Sequence, residues 1–476
     1  MKPTKIALYL VACLLCACSG GGDEGDDGDG GDGSPPRANS PPVATLPGGP
    51  ILGALAAPVY YDATQGGSAF TDPDGDTLTY SLQFLTPSRG LVIQGTHVIG
   101  TLATPSVAAL KITARDGYGG EGEQTFWFAA VGPEPGRPFL PPIEYVYDEL
   151  LLSPPLPGHF SSAKRIDTDR PENHVSNAGA TLGRVLFYDK RLSATNTHSC
   201  ASCHRQDHGF TTPDRFPTGV TNMPLKRNAM GLTNVRYNGG GYFWDQSGET
   251  LEAAVLRPIE AVHELGNSLP MLEAKLAAAD FYPALFTAAF GSPEVTRDRI
   301  AKALAQFLRS IISYQSTFDL AGGRAAPYRN TSPVYTDEQR RGADIFEWGC
   351  SRGGCHVDAA HTTSTAQNTG LDAVLTDLGA GRGRFRPASL RNIAMTAPYM
   401  HDGRFATLRE VIEHYTTNMI KTPDITPYFV GSGQLCCGLI NPHLSEDQKR
   451  DLEAFLHALT DQAPLTDPRW SDPFPQ

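Results

Sequence analysis

The sequence predicts a multidomain chain, mainly α-helical towards its C-terminus and preceded by a small all-β sandwich. Three observations carry this. Short alternating apolar runs, broken by Gly, Pro and Asp turns, fill residues 41–132. From about residue 161 the apolar spacing becomes helical. A short pattern also occurs twice, as Gly183-Arg184-Val185-Leu186-Phe187 and as Gly342-Ala343-Asp344-Ile345-Phe346, each time ahead of a Cys/His cluster. Such an echo reads as a duplicated helical unit.

The N-terminus reads as an export signal over residues 1–18. Lys2 and Lys5 provide the positive region, and an apolar core too short to span a bilayer follows. It ends Leu15-Cys16-Ala17-Cys18, which resembles a bacterial lipobox with Cys18 as the lipidated residue. The alternative is a cleaved signal with an incidental cysteine. The lipobox reading predicts an exported chain held by lipid on Cys18, at the outer membrane with periplasmic or surface exposure. Residues 19–40 form a Gly/Asp/Ser/Pro linker expected to be disordered. Its acidic residues, from Asp23 to Asp32, contribute much of the formal charge of −12, which argues against a nucleic-acid partner.

The β segment includes Leu78-Thr79-Tyr80-Ser81-Leu82 and Ala109-Leu110-Lys111-Ile112-Thr113. Asp72, Asp74, Asp76 and Asp116 lie in its Asp/Gly turns, where they suit either calcium ligation or turn chemistry alone. These stretches resemble immunoglobulin-like or cadherin-like modules of bacterial surface proteins. Residues 133–160 are Pro-rich and read as a second linker; 161–325 and 326–476 read as the two helical domains. Ile300, Leu304, Phe307, Leu308 and Ile311 form a core stripe, while Thr407 to Glu410 and Ser445 to Gln448 fit capping boxes.

Nine cysteines need allocation. Cys13, Cys16 and Cys18 belong to the export signal; Cys436 and Cys437 are adjacent, and their pairing stays open. Cys200-Ala201-Ser202-Cys203-His204 is the attachment pattern for a c-type haem: two thiols reach the two vinyl groups and the next imidazole lies under the iron. A zinc half-site is the alternative, but no second CxxC pair lies nearby. Cys350-Ser351-Arg352-Gly353-Gly354-Cys355-His356 has two further residues between the cysteines, and its glycines let the loop bulge. The alternative there is a disulfide beside a histidine. The surrounding repeat favours a second haem, making the two helical units cytochrome c-like haem domains.

With these clusters in place, residues 180–461 resemble the bacterial di-haem cytochrome c peroxidase family, in particular its MauG-like subclass. The blocks that carry the resemblance are Leu182-Gly183-Arg184-Val185-Leu186-Phe187-Tyr188-Asp189, Phe243-Trp244-Asp245, Ser389-Leu390-Arg391-Asn392 and Thr396-Ala397-Pro398-Tyr399-Met400-His401-Asp402-Gly403-Arg404-Phe405. The resemblance implies that His204 is the proximal ligand of a peroxide-reacting haem and His356 that of an electron-transfer haem. Trp244 would relay electrons between them. Pro258 and Glu264 would stand in the distal pocket, where a carboxylate can move a proton between the peroxide oxygens. By itself, Glu264 reads as a solvated helix residue. Asn228, Thr396 and Pro398 would hold a calcium ion between the domains.

The sequence departs from the family at three places, and the first and last of them bear on the subclass. The stretch Thr218-Gly219-Val220-Thr221-Asn222-Met223 offers no imidazole where better-known members place a distal histidine, so the reacting haem is expected to be open without prior reduction. A glutamine expected in the pocket is Ala254. Fourteen residues after His401, where many members have methionine, stands Tyr415. Tyr415 also fits a core tyrosine beside Leu408, Val411 and Ile412, and Met400 and Met419 are rival ligands. A phenolate ligand would hold the second haem at low potential. The expected activity is reduction of hydrogen peroxide at the expense of an external donor, either a small redox protein or a partner-protein side chain. Its rivals are an electron-transfer cytochrome without peroxide chemistry and, more remotely, an adhesive surface protein.

Overall fold

The computed structural model describes residues 39–45, 48–141, 144–148, 152, 154–323, 332–351, 354–357, 359–425 and 443–474. The export signal, Cys18, the linker before residue 39, and Cys436 and Cys437 lie outside them.

Among the described residues, nine strands come first: β1 (Val43–Ala44), β2 (Pro50–Ala54), β3 (Pro58–Asp62), β4 (Phe70–Thr71), β5 (Thr79–Phe84), β6 (Leu91–Gln94), β7 (His97–Thr101), β8 (Ser106–Arg115) and β9 (Glu121–Val131). They form a four-stranded sheet in the order β2-β9-β8-β5, a three-stranded sheet β3-β7-β6 and the pair β1-β4. β2 joins β9 in parallel; the other pairings are antiparallel. Leu91 and Val98 from one sheet and Leu110, Ile112, Phe126 and Phe128 from the other share a single core. That is the face-to-face packing alternating runs produce when one side of each sheet is apolar. The other face of β8 and β9 carries Val107, Ala109, Trp127 and Ala129, and these pack against Ala194 and Val220 of the helical part.

The Pro-rich stretch 133–160 holds no strand or α-helix among its described residues, yet it is packed rather than loose. Tyr147 is buried, and its hydroxyl donates to Arg469 O at 2.6 Å. Phe139 N donates to Pro473 O at 2.6 Å.

Ten α-helices follow among the described residues: α1 (Asn177–Tyr188), α2 (Leu251–Glu260), α3 (Leu269–Ala278), α4 (Tyr282–Phe290), α5 (Arg297–Ser310), α6 (Thr317–Leu320), α7 (Asp337–Phe346), α8 (Leu408–Glu413), α9 (Glu446–His457) and α10 (Ala463–Thr466). The expected stripe from Ile300 to Ile311 is buried, and both expected capping boxes form, at Thr407 and Ser445. None of the helices among the described residues is long and apolar enough to cross a membrane.

The echo in sequence is an echo in packing. α1 lies on α5 and α7 lies on α9. A Cβ on Gly183 would stand 2.0 Å from Ala303 O and 2.7 Å from Phe307 Cβ; one on Gly342 would stand 1.9 Å from Asp451 O and 2.9 Å from Phe455 Cβ. The same close crossing is built twice, around a glycine in each unit. Gly342→Ala should therefore cost about 3 kcal/mol or more, since a methyl group must displace helix backbone. Equilibrium denaturation by urea reads this directly, and a midpoint equal to wild type would show that the helices can separate freely. The C-terminal segment then returns to the first unit: Trp470 is buried in the α1–α5 core, and its indole N–H donates to Ser310 Oγ at 3.2 Å.

Candidate active site

Each Cys/His cluster sits in a tight loop, and the two loops close alike. His204 N donates to Cys200 O at 2.9 Å and His356 N to Cys350 O at 3.0 Å. Despite the longer spacing of the second motif, its histidine returns to the carbonyl of the first cysteine as in the first motif. His204 Nδ1 donates to Phe210 O at 2.8 Å, and His356 Nδ1 to His361 O at 3.0 Å. In both loops the accepting residue is left-handed, Phe210 at φ 58° and His361 at φ 50°. A carbonyl can only accept, so each ring carries its proton on Nδ1 and presents Nε2 as a metal ligand, a usual way of orienting a ligating imidazole.

Burial holds the thiols protonated: Cys200 is pushed up to about 12, Cys203 to about 11 and Cys355 to about 12. Cys350 is not disulfide-bonded to Cys355. Among the described residues, the one grouping of three or more Cys, His, Asp or Glu donors close enough to share an ion is Asp72, Asp74 and Asp76. Neither Cys/His cluster converges as a zinc site must.

Around the second cluster lies an open cavity, lined by Cys350, Cys355, His356, Met400 and Tyr415. Met419 packs beside it with Ile425 and is not part of its lining. Arg386 also lines the cavity. Its side chain is buried and donates from Nη1 to Gly241 O, while Nε and Nη2 have no partner. Burial pulls this guanidinium down to about 10. Two unpartnered nitrogens on a buried cation are costly unless an anion meets them, and a haem propionate answers that need. The cavity therefore fits haem by shape, ligand and counter-charge. Sequence reasoning missed Arg386, which stands in a segment without periodicity.

The helices that follow the two units align residue for residue. Tyr242 bridges to Gly248 and Tyr399 to Phe405. Phe243 and Met400 are left-handed at 66° and 74°, as are Gln246 and Gly403 at 58° and 61°. Thr250 then caps α2 and Thr407 caps α8. In this frame Trp244 matches His401. Pro258, eight residues after Thr250, matches Tyr415, eight residues after Thr407. Tyr415 lies where α8 widens into a π turn, His414–Asn418, a distortion frequent at functional positions. Proline offers no side-chain donor to a metal, whereas tyrosine does. The two units thus differ in donor chemistry at this matched position.

Glu264 lies in the loop between α2 and α3. The loop is tied down by Leu265 N to Pro258 O at 3.1 Å, Val220 N to Glu264 O at 2.9 Å and Ala194 N to Leu265 O at 2.9 Å. Burial raises the Glu264 pKa, and its charge opposes ionisation of both Cys200 and Cys203, which places it beside the first cluster. Trp244 lines the second cavity and donates from its indole to Asn228 O at 2.8 Å. Asn228, Thr396 and Pro398 share that cavity wall, and Asn228 N donates to His401 O at 2.8 Å. Ala254 is buried on α2. In the β module, Asp116 stands apart from the Asp72, Asp74 and Asp76 group. It accepts from Asn39 Nδ2, Tyr118 N and Gly120 N, as a turn carboxylate does.

Fold and site define a c-type cytochrome with two haem units in one polypeptide. A family model described as di-haem cytochrome c peroxidase matches residues 177–325. The methylamine utilization protein MauG of Methylorubrum extorquens is 32% identical over 302 residues, covering 60% of this chain and 79% of that one. The cytochrome c551 peroxidase of Nitrosomonas europaea is 30% identical, covering 66% and 91%. The crystal structure of a MauG-like protein associated with microbial copper homeostasis is similar at 31% identity and a TM-score of 0.55, covering 64% of this chain and 96% of that one. The chain belongs to the di-haem cytochrome c peroxidase family; it is an oxidoreductase with peroxidase function, and membership implies two haem c groups.

Proposed function

We propose that the chain is a MauG-like peroxidase. Hydrogen peroxide meets the first site, at His204, in the as-isolated ferric protein, and oxidising equivalents pass by Trp244 to the second site, at His356 and Tyr415. From there they reach an external donor, a small redox protein or a partner-protein side chain. The observation that carries this reading is the Pro258–Tyr415 correspondence: equivalent positions, one without a donor atom and one with a phenol. When bound, haem supplies the iron that takes peroxide and its oxidising power. Glu264 Oε, desolvated in the loop between α2 and α3, takes a proton from one oxygen of peroxide and returns it to the leaving oxygen. The indole of Trp244, fixed by Asn228 O, provides the aromatic step between the sites.

The experiment is peroxide addition to the purified ferric protein, followed optically. One high-spin and one low-spin haem, with a rapid response to peroxide, is the expected result. Two low-spin haems that ignore peroxide would return the chain to electron transfer alone. Replacing Arg386 by Gln should lower the reduction potential of the second haem by on the order of 50 mV, because a nearby cation favours the reduced form. A redox titration that finds the wild-type value would remove Arg386 from the haem's surroundings.

The remaining assignments belong to the same proposal. Calcium between the domains is held through Asn228, Thr396 and Pro398, the last two by backbone carbonyls. The β module is of the immunoglobulin-like or cadherin-like kind. Its Asp72, Asp74 and Asp76 suit calcium, since Asp72 Oδ2 is buried without a partner. The chain is exported and anchored by lipid on Cys18.

A further inference from the structure

Among the described residues, the β module meets the helical part against two loops beside the first haem motif. Trp127, on β9, donates from its indole to Gly266 O at 2.6 Å, two residues beyond Glu264. Arg89 donates from Nη2 to Thr221 O at 2.6 Å. Val107, Ala109, Trp127 and Ala129 bury Val220 and pack against Val262. Gly132 N donates to Thr195 O at 2.7 Å, just ahead of the motif.

The two loops are themselves pressed together. A Cβ on Gly219 would stand 2.2 Å from His263 O, 2.3 Å from Glu264 O and 2.6 Å from Glu264 Cα. Val220 N closes this contact through its hydrogen bond to Glu264 O. The module therefore grips both members of a pair whose joint position sets the backbone of Glu264. The solved MauG-like structure is matched over 96% of its length by 64% of this chain, so about a third of this chain has no counterpart there.

We propose that the β module is a clamp on the distal side of the peroxide site, with Trp127 and Arg89 as positioning residues for Glu264. It is thereby part of the enzyme rather than a tether or an adhesive appendage. The two hydrogen bonds end on backbone carbonyls, so they fix loop position regardless of the side chains the loops carry. Trp127 contributes both the bond and the apolar plug over Val220, and Arg89 holds the opposite edge. The proposal rests on the reading of Glu264 as the proton-handling group.

The test uses the full-length, doubly haem-loaded protein. Trp127→Phe keeps the ring and removes the donor. The peroxide step should slow about tenfold, the size of effect that slight misplacement of a reacting group produces. The high-spin ferric resonance of the first haem should broaden while the low-spin signal of the second stays as in wild type. In a Glu264→Gln background the same substitution should have no further effect on rate, because both changes act through one group. Arg89→Ala should reproduce the pattern from the other loop, and it carries the test should the tryptophan variant fold poorly.

A lowered melting temperature with an unaltered peroxide rate and spectrum would overturn the proposal, leaving the module a structural support only. So would a loss of rate that persists in full on the Glu264→Gln background. A wild-type rate in Glu264→Gln alone would instead remove the clamp's target, a failure of the active-site reading distinguishable from failure of the clamp.

Discussion

Glu264→Gln is expected to slow the peroxide step by at least about 100-fold while both haems remain attached, the range general acid–base catalysis supplies. Glutamine keeps the size and hydrogen bonding of the side chain but cannot exchange a proton. The pH dependence gives a second reading. Burial raises the Glu264 pKa, and the ionised form is the one that accepts a proton from peroxide. In the wild type the rate should therefore fall as pH drops through a value above the usual carboxylate range. In Glu264→Gln that acid limb should vanish. Stopped-flow mixing across pH reads both effects, and a variant that keeps rate and acid limb alike would return Glu264 to an ordinary loop carboxylate.

Tyr415→Met is expected to raise the reduction potential of the second haem by on the order of several hundred mV, because thioether favours the reduced metal where phenolate favours the oxidised one. The change should be confined to the low-spin signal, since Tyr415 and the first cluster belong to different units. Tyr415→Phe removes the donor without supplying another, and the low-spin spectrum should shift there too. Unaltered spectra in both variants would leave Tyr415 as a core residue and turn attention to Met400, which lines the cavity where Met419 does not.

Covalent spacing made the haem motifs legible in sequence: two cysteines and a histidine within a few residues have few other uses. Helix caps and the α5 stripe were legible because they are local and periodic. The Pro258–Tyr415 correspondence had a signal of its own. Tyr242, Asp245, Thr250 and Leu251 recur at the same spacing as Tyr399, Asp402, Thr407 and Leu408. The grip of Trp127 and Arg89 had none. Their partners lie 139 and 132 residues away in the chain, and a tryptophan in an alternating strand reads as sheet core. The Pro-rich stretch was equally opaque, because what makes it a packed strap is Tyr147 meeting Arg469 at the far end of the sequence. Composition describes how a segment would behave alone and is silent about a surface waiting for it.

Trp470 seats the end of the polypeptide in the core of its first half. The described C-terminal segment is thus packed back onto the first unit, so that the two halves share one core at this point. A hopping electron would then travel a span set at folding, with its tempo governed by driving force and not by the chance of a productive encounter.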